Sequence, residues 1–232
     1  MSEITLYHGS TKIVTRPAFG EGNSRNDYGL GFYCTENIEL AKEWACSAKT
    51  GGFANIYTLD ISDLTVLNLN DAGYGILDWL AVLINNRIFS IDSPISAESK
   101  EYLTAHFLPE ISTFDAVKGY RADDSYFTFA TDFLGNTISL RQLSRAMHLG
   151  SLGEQFVLKS RKAFDALCFT GSEPANEEIY FTRRNERDEK AREQYFGRER
   201  ITPRKSDDIF MIDILREEMK RTDARLQRSL FE

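Results

Sequence analysis

A histidine and a glycine stand together near the start of the chain, in the string LYHGST over residues 6–11. His8 is one of only three histidines in the sequence, and it falls at the end of the first strand that the apolar pattern predicts. About 20 residues later, the string GLGFYCT over residues 29–35 places Tyr33 directly after a glycine-rich turn. A histidine before a glycine is compatible with a plain turn, but it also suits a ligand that lies against the backbone, because glycine has no Cβ.

Two further side chains could take part in such chemistry. Trp44 lies on a predicted helix beside apolar positions, and Gln155 lies at the start of a late predicted strand, EQFVLKS. Each candidate also has a structural interpretation. His8 could be a structural histidine, Tyr33 and Trp44 could be core aromatics, and Gln155 could be a surface residue at a strand start. The residues alone leave these alternatives open.

Several common chemistries are excluded by missing motifs. The chain has no G-x-x-x-x-G-K-[ST] phosphate loop, no H-E-x-x-H helix and no G-x-S-x-G elbow. Its three cysteines, Cys34, Cys46 and Cys168, form no C-x-x-C pair, and no histidines stand at zinc spacing, so we expect no metal site. An odd number of unpaired cysteines is typical of reduced thiols in the cytosol.

Charge and hydropathy limit the partners. The net charge of -7 provides no basic surface for non-specific binding of nucleic acid. The chain has no run of about 18 apolar residues that would predict a membrane helix. Its first residues also lack the basic and apolar pattern of a signal peptide, so we expect a cytoplasmic protein without a membrane partner.

The elements that must position the candidates form a mixed pattern. Strands are predicted over residues 4–7, 32–35, 54–61, 64–69, 114–121, 154–160 and 165–171. Helices are predicted over residues 36–50 with Thr35 as the N-cap, within a helical insertion at about 71–112, and over 124–136 and 139–149. Strands at both ends with helices between them favour an α+β fold over a doubly wound parallel sheet.

The last 60 residues differ from the rest. The pattern predicts a main domain over residues 1–172 and an appended arm over 173–232. The arm begins with a segment dense in charge of both signs, residues 182–205, and continues as a single amphipathic helix from Asp207 to Glu232. Its apolar stripe must be buried against the domain or against a partner.

Four elements in a fixed order resemble a known family. They are LYHGS, NDYGLGFYCT, YRADDSYF and GEQFVLKSRKAF, spread over roughly residues 4–170. This order resembles the mono-ADP-ribosyltransferases of the diphtheria toxin and poly(ADP-ribose) polymerase type. It is most similar to an uncharacterised bacterial branch of that superfamily. The resemblance implies a split β-sheet core with a helical insertion and a C-terminal helical arm, and NAD+ as the co-substrate.

The resemblance assigns roles at the first two strands and the helix behind them. His8 would bond a ribose hydroxyl of NAD+, and the backbone of Gly9 would hold the nicotinamide carboxamide. Ser10 completes the His-Gly-Ser motif and is expected beside the co-substrate. Tyr33 would stack on the nicotinamide ring, and Trp44 matches the position of a second stacking aromatic.

The late strand and the loop complete the implied site. Gln155 matches the acidic position that touches the nicotinamide ribose, but it is an amide and supplies no negative charge. The neighbouring Glu154 would point to the opposite face of its strand. Ala41 replaces a serine that bonds the carboxamide in the polymerases. Arg25, in the loop before the second strand, is expected to meet the NAD+ diphosphate.

The resemblance therefore implies an enzyme. It would be an NAD-dependent mono-ADP-ribosyltransferase that modifies a macromolecular acceptor, protein or nucleic acid, as a bacterial toxin or phage-defence effector. An antitoxin or another protein partner is expected at the C-terminal arm. The alternative is a non-catalytic module of the same fold that binds a nucleotide or a protein, which the amide at Gln155 favours.

Overall fold

A computed structural model describes residues 2–71, 73–89, 91–122, 124–149 and 153–228. The strands are β1 (Glu3–Ser10), β2 (Phe32–Cys34), β3 (Gly52–Asp60), β4 (Val66–Asn68), β5 (Ala116–Tyr120), β6 (Glu154–Leu158) and β7 (Leu167–Ala175). The helices are α1 (Ile38–Ala45), α2 (Ile76–Asn86), α3 (Pro94–His106), α4 (Asp124–Leu134), α5 (Leu140–Ala146), α6 (Arg161–Asp165), α7 (Glu177–Gln194), α8 (Met211–Arg216) and α9 (Ala224–Arg228). The α+β class predicted from the sequence is confirmed. In the described part of the chain, no helix combines the length and the apolar character needed to cross a bilayer.

The chain forms two compact units. The first consists of Met1–Asn68, Glu110–Arg121 and Leu152–Arg187, and the second consists of Leu69–Pro109, Ala122–Ser151 and Asp188–Glu232. Strands β1 to β7 all belong to the first unit, and the predicted helical insertion, with α2 and α3, belongs to the second. The boundary predicted after residue 172 falls inside β7, because this strand stays paired with β3 as far as Ala175.

The first unit contains two sheets that join at one backbone pair. One sheet has the order β1-β3-β7, and the other has the order β2-β6-β5-β4. At the junction, Tyr7 N–H donates to the Thr35 carbonyl (2.8 Å) and Thr35 N–H donates to the Tyr7 carbonyl (2.9 Å). Beyond this pair, β1 continues to Ser10 along β3, while β2 runs antiparallel along β6. We call the opening between β1 and β2 the fork.

An apolar cluster with members from both sheets forms the core of this unit. Where a strand gives two buried members they are alternate residues, as a two-residue side-chain period requires, and helix α6 adds Ala163. The buried members are Leu6, Phe32, Cys34, Tyr57, Leu59, Ala116, Phe156, Leu158 and Ala163. Because Phe32 and Cys34 face this cluster, Tyr33 between them faces the other side of its sheet, and so does Gln155 beside Phe156.

Helix α1 packs on β1 where the strand has a glycine. A Cβ on Gly9 would collide with the carbonyl oxygen of Ala41 and would lie 2.8 Å from the Ala45 backbone nitrogen. The predicted cap is wrong by two residues: Asn37 caps α1, and its Oδ1 accepts from Glu39 N–H at 3.0 Å. Thr35 is held by Tyr7 in the junction pair, so its backbone is not available to start the helix.

The second unit is helical, and its core is rich in aromatic residues. Its fully buried large side chains include Trp79, Phe107, Phe129, Phe133 and Tyr195. The single helix predicted over residues 207–232 is wrong, because α8 and α9 are separate and Glu218 between them has a left-handed backbone (φ 49°). Part of the apolar stripe, Met219 and Leu226, is buried, while the last four residues, 229–232, lie outside the described residues.

Replacing Gly9 with alanine should destabilise the first unit, because the added methyl group overlaps α1. Overpacking of this kind costs about 1–3 kcal/mol, so the free energy of unfolding in a urea titration should fall by that amount. Gly171→Ala is the matched control, since it is also a strand glycine but its added Cβ meets no described atom within 4 Å. Equal stability of the two variants would contradict this account of the packing.

Candidate functional site

The backbone of Gly9 faces the fork. The N–H and C=O groups of residues i and i+2 in a strand point to the same edge, and those of Tyr7 point to Thr35. Gly9 therefore directs its N–H and C=O past the junction pair, toward the side from which β2 has turned away. Residue 9 must be a glycine because α1 packs against one face of the strand and leaves no room for a Cβ. The N–H and C=O groups of Gly9 lie in the plane of the sheet, so α1 does not cover them. The fork thus has one backbone donor and one backbone acceptor.

His8 bridges the fork at its narrow end. Its Nδ1 lies 2.7 Å from the carbonyl oxygen of Tyr33. A carbonyl can only accept, so Nδ1 carries the proton and donates. Burial lowers the pKa of His8, and the bond to Tyr33 opposes this effect only in part. The ring is therefore neutral at pH 7, and its Nε2 is a hydrogen-bond acceptor.

The 27–31 loop is tied to the face of the sheet that carries Tyr33. The Tyr33 hydroxyl donates to the Gly29 carbonyl (2.6 Å) and accepts from Tyr28 N–H (3.0 Å). Lys159 Nζ donates to two carbonyl oxygens of the same loop, at 2.6 and 2.5 Å. Burial lowers the pKa of Lys159. These bonds fix the loop and the position of the Tyr33 ring together.

Gln155 is buried on the same face, and its amide is only partly satisfied. In the register of β2 and β6, Tyr33 lies opposite Val157, so Gln155 two residues away shares its face. Gln155 is 5 % exposed, and its Nε2 donates to Oδ2 of Asp27 at 2.8 Å. Its buried Oε1 has no hydrogen-bond partner within the described residues. Gln155 is therefore not a surface residue, and a buried acceptor without a partner is costly unless a ligand or a water molecule supplies the donor.

Trp44, on α1, contributes a buried hydrogen-bond donor, as Gln155 contributes a buried acceptor. Its Cβ lies close to the Cα of Gly9, since an added methyl on Gly9 would come within 2.9 Å of it. The guanidinium of Arg121 lies over the indole ring, 4.8 Å from its centroid. The indole Nε1 is buried and, among the residues that the structure describes, has no acceptor. A buried donor without a partner is uncommon in folded proteins.

The other predicted site residues lie elsewhere or are engaged. The Ser10 hydroxyl donates to the Lys12 carbonyl and accepts from Asn55 Nδ2 at 3.1 Å, so the chain itself uses it. Arg25 is exposed on the loop before β2. The Glu154 carboxylate pairs with Lys118 at 3.1 Å, on the strand face opposite Gln155. The contacts expected for Ser10 and Arg25 stay predictions.

Two residues of this site were not predicted from the sequence. Asn55 is fully buried on β3, where its Nδ2 donates to the His8 carbonyl (3.1 Å) and its Oδ1 accepts from Val14 N–H (2.8 Å). A polar residue inside the strand run ANIYTLDI was the available signal. Asp27 is the second, and within the turn-like NDYG nothing distinguished it. Asp123 of the third resembling element lies outside the described residues.

The half-buried, neutral His8 should make stability depend on pH. Below the ordinary pKa of 6.5, the unfolded chain binds a proton that folded His8 resists, so the folded state loses stability as the pH falls. Between pH 7.5 and 5.5, urea titrations should show wild type losing up to about 1.4 kcal/mol more than His8→Gln. His148→Gln, at an exposed histidine, should behave like wild type. The same pH dependence in wild type and His8→Gln would rule out a His8 ring that stays neutral in the folded protein.

Comparison with protein-family models gives a match over most of the chain. The family model described as "Protein of unknown function (DUF3990)" matches residues 4–169, a range that includes β1, β2 and β6. No curated protein matches the chain, and no solved structure matches it. Among the side chains that the structure describes, no group of three or more His, Cys, Asp or Glu is placed to hold a metal ion.

Proposed function

The chain belongs to the DUF3990 family, whose function is unknown, and from this premise we propose that it is an NAD-dependent mono-ADP-ribosyltransferase. The observation that carries the proposal is the buried Gln155 Oε1, an acceptor without a partner in the described part of the chain, on the face that Tyr33 shares. The order of the four resembling elements supports the same conclusion. The molecule that receives ADP-ribose is a macromolecule. We propose that the protein acts in the cytoplasm, as a bacterial toxin or a phage-defence effector.

The fork suits a carboxamide. Nicotinamide carries an amide with one acceptor oxygen and one donor NH2 group. Gly9 offers the complementary pair in the plane of its sheet, a backbone N–H and a backbone C=O on one edge. Two such bonds would orient the ring as well as bind it. Tyr33 and Trp44 are the aromatic side chains that we assign to the faces of the ring.

The hydroxyls of the nicotinamide ribose require acceptors. The neutral His8 offers Nε2, because its Nδ1 is used by the Tyr33 carbonyl. Gln155 offers Oε1, because its Nε2 is used by Asp27. A hydroxyl at Gln155 would also satisfy the buried oxygen, so binding removes a cost that the free protein bears. Arg25 is the residue we assign to the diphosphate, since it is a cation on the loop before the site.

The proposed reaction is a substitution at one carbon. The bond between ribose C1′ and the nicotinamide nitrogen breaks, and its electron pair leaves with nicotinamide, which becomes neutral. A lone pair of the modified macromolecule forms the new bond to C1′, and the macromolecule loses a proton. Positive charge builds on the ribose as the first bond breaks, and the negative ends of dipoles held at fixed positions stabilise it. Gln155 Oε1 is such a group.

A non-catalytic module of the same fold is the second candidate. The observation that favours it is the amide at Gln155, since a neutral side chain stabilises a developing cation less than a carboxylate does. In this case the fork binds a nucleotide or a protein, and the glycosidic bond stays intact. Calorimetric binding of NAD+ without release of nicotinamide would identify this outcome.

Incubation of the protein with NAD+ and bacterial lysate should release nicotinamide, measured by chromatography. Gln155→Ala should lower the rate on the order of 100-fold, because one oriented dipole is lost from the charged transition state. Tyr33→Ala should lose a comparable amount through weaker binding and a loosened 27–31 loop. Cys168→Ser, at an exposed thiol of β7, is the control and should keep the wild-type rate. If the wild-type protein released no nicotinamide with any lysate tested, the proposal that it is an enzyme would be refuted.

Trp44→Phe separates a ligand contact from a packing role. It keeps an aromatic ring but removes the buried N–H that lacks an acceptor among the described residues. Without ligand the variant should be as stable as wild type or more stable, because an unsatisfied donor is gone. Its affinity for NAD+ should fall about tenfold, the worth of one hydrogen bond, in a calorimetric titration. A loss of stability with unchanged affinity would assign Trp44 to the core.

A further inference from the structure

Resting on the proposed function, we propose that Asp27 is the positioning residue that orients the Gln155 amide and supplies its negative polarity. At the late strand the sequence departs from the family it resembles, because an amide stands at the acidic position. Asp27 precedes β2 and lies in the resembling string NDYGLGFYCT, but the resemblance assigns it no role.

The first step is the orientation of the amide. Asp27 and Gln155 are each 5 % exposed, and Nε2 of Gln155 lies 2.8 Å from Oδ2 of Asp27. A carboxylate only accepts, so the NH2 end of the amide must face it. Rotating the amide by half a turn would place Oε1 against a carboxylate oxygen, with two acceptors in contact. Asp27 therefore forces Oε1 to face away from it, and Oε1 is the atom without a partner in the described residues.

The second step is the charge. A hydrogen bond from an amide to a carboxylate is charge-assisted, and in a buried site it polarises the amide along the N–C–O axis. Electron density shifts toward Oε1, so this oxygen becomes more negative than that of a solvated glutamine. The negative charge of Asp27 also acts on the ribose directly, although the Gln155 side chain lies between the two. The two residues together supply what a single carboxylate supplies at the late-strand position.

The third step is the support of Asp27. The residue begins the 27–31 loop, which Lys159 and the Tyr33 hydroxyl hold by the bonds described above. Tyr28, next to Asp27, is 1 % exposed, and its hydroxyl donates to the Tyr120 carbonyl at 2.6 Å. These anchors hold the carboxylate against Gln155 without relying on the loop backbone alone. The loop that fixes the Tyr33 ring thus also fixes the polarity of Gln155.

Asp27→Asn tests the charge, because it keeps the shape of the side chain and an acceptor oxygen. We expect the affinity for NAD+, measured by calorimetry, to stay within about threefold, while kcat for nicotinamide release falls at least about tenfold. This split between binding and turnover is not what a merely structural residue would give. Asp63→Asn, the same change at an exposed aspartate, is the control and should keep both values.

Exchange of the two groups is the decisive variant. Asp27→Asn with Gln155→Glu keeps one amide and one carboxylate and reverses their hydrogen bond. We expect kcat to recover at least about tenfold over Asp27→Asn alone, because the site regains its negative charge. If Asp27→Asn fails to fold, the double variant serves as the test, because it keeps the buried hydrogen bond. Turnover by the double variant supports the inference. A double variant that folds but is inactive overturns it.

The outcomes separate the inference from the proposed function. A wild-type protein that releases no nicotinamide refutes the enzyme and the role of Asp27 with it. A wild-type enzyme that is active, together with an equally active Asp27→Asn, overturns only the role of Asp27. Parallel losses of melting temperature and NAD+ affinity in Asp27→Asn, with no recovery in the exchanged pair, assign Asp27 to the fold and also overturn it.

Discussion

The site depends on a constraint of β-strands: backbone polar groups point alternately to the two edges, and side chains point alternately to the two faces. The Tyr7–Thr35 pair fixes both alternations at once, because it joins the two sheets with two hydrogen bonds. From that pair the positions of the other groups follow. Gly9 directs its backbone into the fork, and the apolar cluster takes Phe32 and leaves Tyr33 for the opposite face.

Several parts of this arrangement could be predicted from local sequence. Strand β6 and its neighbour β5 come from apolar runs bounded by turn residues, and both have the predicted type. The break in the C-terminal helix could not be predicted, because the apolar spacing continues through Glu218. The left-handed backbone of Glu218 nevertheless interrupts the helix. Likewise, Thr35 and Asn37 are both good capping residues. The pairing of Thr35 with distant Tyr7, which no local pattern contains, decides between them.

The site shows the same division between local and distant information. His8, Tyr33 and Gln155 stand out by type and by order in the sequence. Asp27 does not, because its burial depends on a hydrogen bond to a residue 128 positions away. Gly9 is instructive for another reason: its type was predicted for close approach of a ligand, whereas the group that approaches its Cα is the backbone of α1. A glycine can therefore be required by packing on one face while its polar groups remain directed at a ligand.

The polar groups of the site explain why the chain tolerates such an arrangement. A buried acceptor on Gln155 and a buried donor on Trp44, both unsatisfied within the described residues, each cost the free protein about 1–3 kcal/mol. A stable core would replace them with apolar side chains of similar size. Their retention makes sense where a ligand restores the missing bonds, because the same cost then becomes part of the affinity. The neutral His8, whose pKa burial lowers, fits this logic, since a protonated ring would lose the Nε2 acceptor.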